Sequence, residues 1–180
     1  MPWKVVERKI GRAGGMKQRT ARQREWDQKY GDGNWAVGYV LGGNFVLQQD
    51  ALESIRTHGA EGFPYEICGL LIGKPAQGLI TEVRRVHNLE QQNPAVRYLI
   101  DDKEDMRIRK ELYRTDLDVL GYYHSHPNHP ARPSIFDTER SWESYVYVIV
   151  SVQDGRPADV NAFVAEKDRG PMIPEPLEIV

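Results

Sequence analysis

Two dense apolar runs restrict the folds open to this chain more than any other feature of its sequence. Residues 145–152 read YVYVIVSV, and residues 67–72 are almost as apolar. Short runs of this kind are typical of strands buried inside a sheet. Because buried strands need other elements to cover them, the runs predict a central sheet within a mixed protein.

Further elements follow from the spacing of apolar and turn-forming residues. Strand-like patterns lie at 80–86, 119–124 and 160–165. Helical patterns lie at 16–30, 50–59, 102–114 and 134–143. We expect two short strands around a turn within 35–47, an extended segment at 94–100, and a loose Pro-rich tail from residue 171. The predicted fold class is α/β or α+β, with a single mixed β-sheet flanked by helices.

Length and composition limit the class of protein. The 180 residues suffice for one domain with its own core. A single cysteine excludes a disulfide scaffold and a multi-cysteine zinc cluster. The sequence has no apolar run long enough for a membrane span and no apolar stretch typical of a secretory signal, so we expect a cytoplasmic protein that does not bind membranes.

The first 30 residues are basic, with nine Lys or Arg and three acids, although the whole chain has a net charge of −2. An anionic partner and a solvated helical face would both explain this. Nucleic acid is not favoured as a partner, because no binding signature accompanies the charge and aromatic residues are sparse. The charge therefore predicts a basic N-terminal extension on an acidic body.

Three of the five histidines lie within six residues, in the segment HSHPNH. His124 and His126 are two residues apart at the end of a predicted strand, so their side chains share one face. Imidazole is a common zinc ligand, and Asp137 in the next predicted helix offers a third one. Two His and one carboxylate leave a position for water, as in catalytic zinc sites.

Each of these residues also has a purely structural interpretation. A His-x-His pair on a strand is more often a surface pair than a metal site. Asp137 in the first turn of a helix would complement the helix dipole, and Ser134 would be an ordinary N-cap. The isolated His pair does not choose between these interpretations, but the full string HSHPNHPARPSIFD is more restrictive.

That string resembles the JAMM motif of the MPN-domain zinc metalloproteases, which consists of Glu, a long gap, His-Ser/Thr-His-Pro, Ser and Asp. The upstream segment FPYEICGLLIGK resembles the family strand that carries the Glu, here Glu66, and Asn88, Pro94 and Tyr98 fit the connecting segment. The similarity spans residues 45–164, and all five functional positions are present, unlike in the metal-free branch of the family. It implies a curled sheet of the MPN/cytidine-deaminase-like type, in a compact member similar to bacterial ones. It also implies an MPN/JAMM metalloprotease domain at 45–168, preceded by the basic extension at 1–44 (helix plus strand) and followed by a tail at 169–180.

The resemblance also implies roles for the site residues. His124, His126 and Asp137 would hold Zn²⁺, Glu66 would be the general base, and Ser134 would donate a hydrogen bond to the oxyanion. The implied function is that of a zinc-dependent metallopeptidase or isopeptidase that hydrolyses the amide bond after the C-terminal Gly-Gly of a ubiquitin-like or sulfur-carrier protein. Two alternatives stay open: deubiquitinase-like removal of ubiquitin-like conjugates, and a non-catalytic MPN binding scaffold. The sequence indicates neither the carrier nor the oligomeric state.

Overall fold

The computed structural model describes residues 45–180, and the structural statements below concern this range. The predicted basic extension, its helix at 16–30 and most of the strand pair at 35–47 lie outside the described residues. No helix within the described range is long and apolar enough to cross a membrane.

The described chain contains eight strands and three α-helices. The strands are β1 (Phe45–Leu47), β2 (Cys68–Lys74), β3 (Leu79–Val86), β4 (Asp118–Pro127), β5 (Val146–Gln153), β6 (Arg156–Ala165), β7 (Met172–Glu175) and β8 (Leu177–Ile179). The helices are α1 (Gln49–Gly62), α2 (Asp102–Leu112) and α3 (Ile135–Arg140), and a short 3-10 turn occupies Pro75–Gln77.

All eight strands form one mixed sheet in the order β7-β6-β5-β4-β2-β3-β1-β8. The two apolar runs of the sequence become β2 and β5, which lie on either side of β4 and are almost entirely buried. β4 pairs antiparallel with β2 and parallel with β5. The predicted mixed sheet with flanking helices is therefore confirmed, and its centre is the strand that carries His124 and His126.

The prediction of a loose tail from residue 171 is wrong. β7 pairs with β6, and β8 pairs with β1 at the other end of the sheet order. Since only Pro176 separates these two strands, the sheet must curl until its ends lie almost together. The prolines that suggested a tail are compatible with this arrangement, because an edge strand has amide positions that need no partner.

Two other elements differ from their predicted extents. The helix predicted at 134–143 ends at Arg140, because the amide and hydroxyl of Ser141 both donate to the Thr138 carbonyl. The amide of Trp142, which would continue the helix, donates instead to the Tyr147 hydroxyl at 2.7 Å. The segment predicted to be extended at 94–100 begins with a turn.

The buried face of α1 places His58 against the sheet. Its Nδ1 lies 2.9 Å from the hydroxyl of Tyr123 in β4. Burial, helped by Arg85 and opposed by Glu61, lowers the pKa of His58 from 6.5 to about 4. Burial also raises the pKa of Tyr123, so its hydroxyl keeps its proton and donates to a neutral His58.

We expect the free energy of unfolding to fall as the pH drops from about 6.5 towards about 4. In this range His58 binds a proton in the unfolded chain but stays neutral in the folded protein. The contribution should be about 1–2 kcal/mol, since this side chain is only partly shielded from solvent. Urea unfolding at about pH 7 and about pH 4.5 should show a smaller pH dependence in His58→Gln than in the original protein. Equal pH dependence in both proteins would contradict this assignment.

Candidate active site

The end of β4 brings two imidazoles into the protein interior. His124 pairs with Cys68 of β2 on one side and with Ile149 of β5 on the other. His126 lies two residues further along the same strand, on the same face, as the sequence predicted. His124 is completely buried and His126 is 7% exposed, so the pair is not an ordinary surface pair.

The N-terminus of α3 supplies a buried carboxylate. Ser134 is the N-cap, and its hydroxyl and amide each donate to Oδ2 of Asp137 at 2.7 Å. The Asp137 amide donates back to the Ser134 hydroxyl at 3.2 Å. The capping role that the sequence left open for both residues is therefore real, and it fixes the position of the Asp137 carboxylate.

His124, His126 and Asp137 converge, and their ligand atoms all lie within 4.8 Å of one another. The two Nε2 atoms are 3.0 Å apart, Oδ1 of Asp137 is 3.1 Å from His124 Nε2, and Oδ2 is 3.5 Å from His126 Nε2. His126 Nδ1 lies 2.9 Å from the Pro130 carbonyl, which can only accept a hydrogen bond. Nδ1 therefore carries the proton, and the lone pair of Nε2 is left facing the cluster.

This donor set fits a metal ion. Tetrahedral zinc with bonds of about 2.0 Å places neighbouring ligand atoms about 3.3 Å apart, close to the observed separations. Two nitrogen atoms with a carboxylate oxygen are typical zinc ligands, and a three-residue set leaves one position for water. The chemistry and spacing of the three residues therefore suit a metal ion, and their role as zinc ligands stays a prediction.

Charges within the cluster are strongly coupled. Burial alone would raise the pKa of Asp137, but His124, His126 and Ser134 outweigh it and hold this pKa well below its usual range. Burial lowers the pKa of His124, and Asp137 offsets this only in part. Asp137 and the Pro130 carbonyl outweigh burial at His126 and raise its pKa. The carboxylate is therefore ionised at neutral pH, as a metal ligand must be.

Glu66 lies just before β2 and is 6% exposed. Burial raises its pKa to about 8, with a smaller lowering by His126 and a further rise from Asp137. A carboxyl group with a pKa near neutrality can accept and return protons under ordinary conditions. Glu66 also lines a cavity of about 390 Å³ together with Val96, His126, His129, Pro130, Arg132 and Ser134.

A family model described as prokaryotic homologues of the JAB domain matches residues 48–165. The chain belongs to the prokaryotic JAB family. Its similarity to JAMM/MPN proteins is therefore confirmed, and the converging residues lie within the matched range.

Known proteins similar to this JAB domain include a desampylase and a CysO-cysteine peptidase. A desampylase from Haloferax volcanii is 39% identical over 115 residues, covering 61% of this chain and 81% of that protein. A CysO-cysteine peptidase from Mycobacterium tuberculosis is 25% identical over 143 residues, covering 79% and 92% respectively. The solution structure of a protein from Desulfitobacterium hafniense is 28% identical with a TM-score of 0.64, covering 75% of this chain and 92% of that one.

Tyr98 and Asn88 of the JAB domain contribute to the site through contacts that the sequence alone does not indicate. The ring of Tyr98 stacks on His124, with centroids 4.4 Å apart. Asn88 donates to the carbonyls of Glu66 and Arg97, each at 3.0 Å, and its oxygen accepts from the amides of Glu90 and Leu99. A loop Asn and a loop Tyr have many ordinary uses, so only their contacts in the fold could assign these roles.

Asn88→Ala is expected to lower kcat about 10- to 100-fold with little change in metal content, because displacing a catalytic group slightly has a large effect on rate. The change removes all four hydrogen bonds, including the one that holds the backbone of Glu66. Steady-state kinetics and metal analysis would measure the two effects separately. Asn93→Ala, in the same loop, is the matched control, and wild-type kcat in Asn88→Ala would contradict the positioning role.

Proposed function

We propose that this JAB domain is a zinc metallopeptidase that cleaves the amide bond following the Gly-Gly tail of a ubiquitin-like or sulfur-carrier protein. The observation that supports this best is the convergence of His124, His126 and Asp137 within 4.8 Å, beside the buried carboxyl group of Glu66. The names of the similar desampylase and CysO-cysteine peptidase support the same substrate class.

His124, His126 and Asp137 would hold the zinc ion. When bound, zinc lowers the pKa of a coordinated water towards neutrality and polarises a substrate carbonyl. The pKa of Glu66, raised to about 8 by burial, would be pulled down by a neighbouring cation, which favours the ionised base. Glu66 then accepts the proton of the attacking water and returns it to the leaving amine.

Ser134 has two compatible roles in this proposal. Its hydroxyl donates to Asp137 Oδ2 and so keeps the carboxylate in place before the reaction. Ser134 also lines the cavity, so rotation about one side-chain bond would direct the same hydroxyl at an oxyanion developing there. The amide of Ser134 continues to hold Asp137 in that state.

The cavity suits a narrow, extended chain. Its wall includes Val96 and Pro130, and its polar lining residues are Glu66, His126, His129, Arg132 and Ser134. Glycine residues bring the backbone close to such groups because they carry no side chain. A Gly-Gly tail would therefore reach Glu66 and His126 with little steric conflict.

Mass spectrometry of candidate carriers tests the proposal directly. Ubiquitin-like and sulfur-carrier proteins, each extended past Gly-Gly by one residue or joined to a lysine side chain, are incubated with the zinc-loaded protein. We expect products that end in Gly-Gly, and no cleavage of the same carriers when Ala-Ala replaces Gly-Gly. If the fully zinc-loaded protein leaves every carrier intact, the non-catalytic scaffold becomes the better description.

A further inference from the structure

The loop between β4 and α3 presents a cation to the cavity. Arg132 lines this cavity with Glu66 and Ser134, and its side chain is exposed. Within residues 45–180, the Arg132 guanidinium takes part in no salt bridge, hydrogen bond or cation–π contact. It is therefore available to an anionic group of a molecule in the cavity.

Two other arginines near the site are already engaged. Arg97, next to Tyr98, lies over the ring of Phe136 at 5.1 Å, and Arg140 of α3 lies over the same ring at 4.0 Å. These contacts connect the loop that carries Tyr98 to the helix that carries Asp137. Structural roles thus account for Arg97 and Arg140, whereas nothing in the described fold accounts for Arg132.

The backbone that leads into Arg132 is held by contacts of Pro130 and Ala131. Ala131 is buried against Ile149 and Phe163, and its carbonyl accepts a hydrogen bond from Asn161 at 3.0 Å. The Arg132 amide donates to the Pro130 carbonyl at 2.8 Å, the same carbonyl that orients His126. A group presented from a fixed backbone loses less conformational entropy when it binds.

We propose that Arg132 binds the free α-carboxylate of the residue that is released after the Gly-Gly tail. This inference rests on the proposed function and adds a preference among its substrates. In a one-residue extension, a single carbon separates the scissile nitrogen from the carboxylate, so a guanidinium at the cavity wall can pair with it. In an isopeptide, the long lysine side chain separates the scissile nitrogen from the rest of the protein, and no carboxylate is fixed nearby. The chain therefore favours trimming of carriers over removal of conjugates.

The test compares two labelled peptides that end in Gly-Gly-Ala, one with a free carboxylate and one with a carboxamide. Their binding is measured by fluorescence anisotropy on zinc-loaded Glu66→Gln, so that turnover does not interfere. The same measurements are made on Glu66→Gln proteins that carry a second substitution: Arg132→Gln, Arg132→Lys or, as a control at a residue that does not line the cavity, Arg156→Gln.

We expect the free acid to bind Glu66→Gln about tenfold more tightly than the amide, since charge-assisted hydrogen bonds are worth about this factor. The preference should persist with Arg156→Gln, fall with Arg132→Lys and vanish with Arg132→Gln. Equal binding of acid and amide, no binding of either, or a preference that survives Arg132→Gln overturns the inference. The proposed function is judged separately, because it depends on whether the unaltered protein cleaves the intact carriers.

Discussion

Replacing Glu66 with Gln is expected to lower kcat about 10²- to 10⁴-fold, the usual contribution of a general acid or base. Gln has nearly the same shape as Glu but cannot take a proton from water. The backbone of residue 66 should keep its place, because its amide donates to Pro94 and its carbonyl accepts from Asn88. Zinc content should also be unchanged, since His124, His126 and Asp137 are intact.

The measurement pairs steady-state kinetics on a cleaved carrier with metal analysis of the same preparation. Glu139→Gln is the matched control, because Glu139 is exposed on α3 and should not affect either quantity. If Glu66→Gln retains full zinc and a kcat within threefold of the original, the base is another group and the role of Glu66 must be abandoned.

Removal of the metal is expected to abolish turnover, and addition of zinc should restore it. The melting temperature should also fall on removal, because a ligand that binds only the folded state stabilises it by mass action.

Asp137→Asn should weaken zinc binding by at least about 100-fold, since even residues that merely orient metal ligands contribute 10- to 100-fold. Titration calorimetry and metal analysis would measure this directly.

His87→Ala provides the control for the metal experiment. His87 lies 3.8 Å from Glu104, so it is also a histidine beside a carboxylate, but its side chain is 89% exposed and outside the converging cluster. It should keep wild-type zinc stoichiometry. Turnover that survives complete zinc removal, or unchanged zinc affinity in Asp137→Asn, would contradict the proposed metal site.

The site was more predictable from the sequence than its supporting residues. His124 and His126 could be placed together because a strand repeats every two residues, and the capping pattern linked Ser134 to Asp137. The position of Glu66 beside them was expected only from the similarity to a known family, because it depends on the pairing of distant strands. Asn88 fitted the connecting segment of the family, but its role could not be predicted, since its four hydrogen bonds exist only after the loop has folded over Glu66.

The ends of the sheet were the least predictable part of the fold. Pro174 lies within β7 and Pro176 directly precedes β8, and proline normally argues against a strand. Tertiary pairing overrides that local preference, because β6 and β1 each leave an edge that these segments cover. Tertiary contacts also decide where a helix ends. α3 stops at Arg140 because the amide of Trp142 donates a hydrogen bond to the hydroxyl of Tyr147 on the next strand.

The pairing of β1 with β8 also has a consequence for when the sheet can form during synthesis of the chain. β1 is the first of the eight strands to be synthesised, and the strand that covers its outer edge is the last. Among the strands within residues 45–180, none besides β8 covers that edge, so it gains its partner in this sheet only once residues 177–179 have been made. The eight-stranded sheet is therefore complete only after residues 177–179 have been made, even though the segments that form the candidate active site are made earlier.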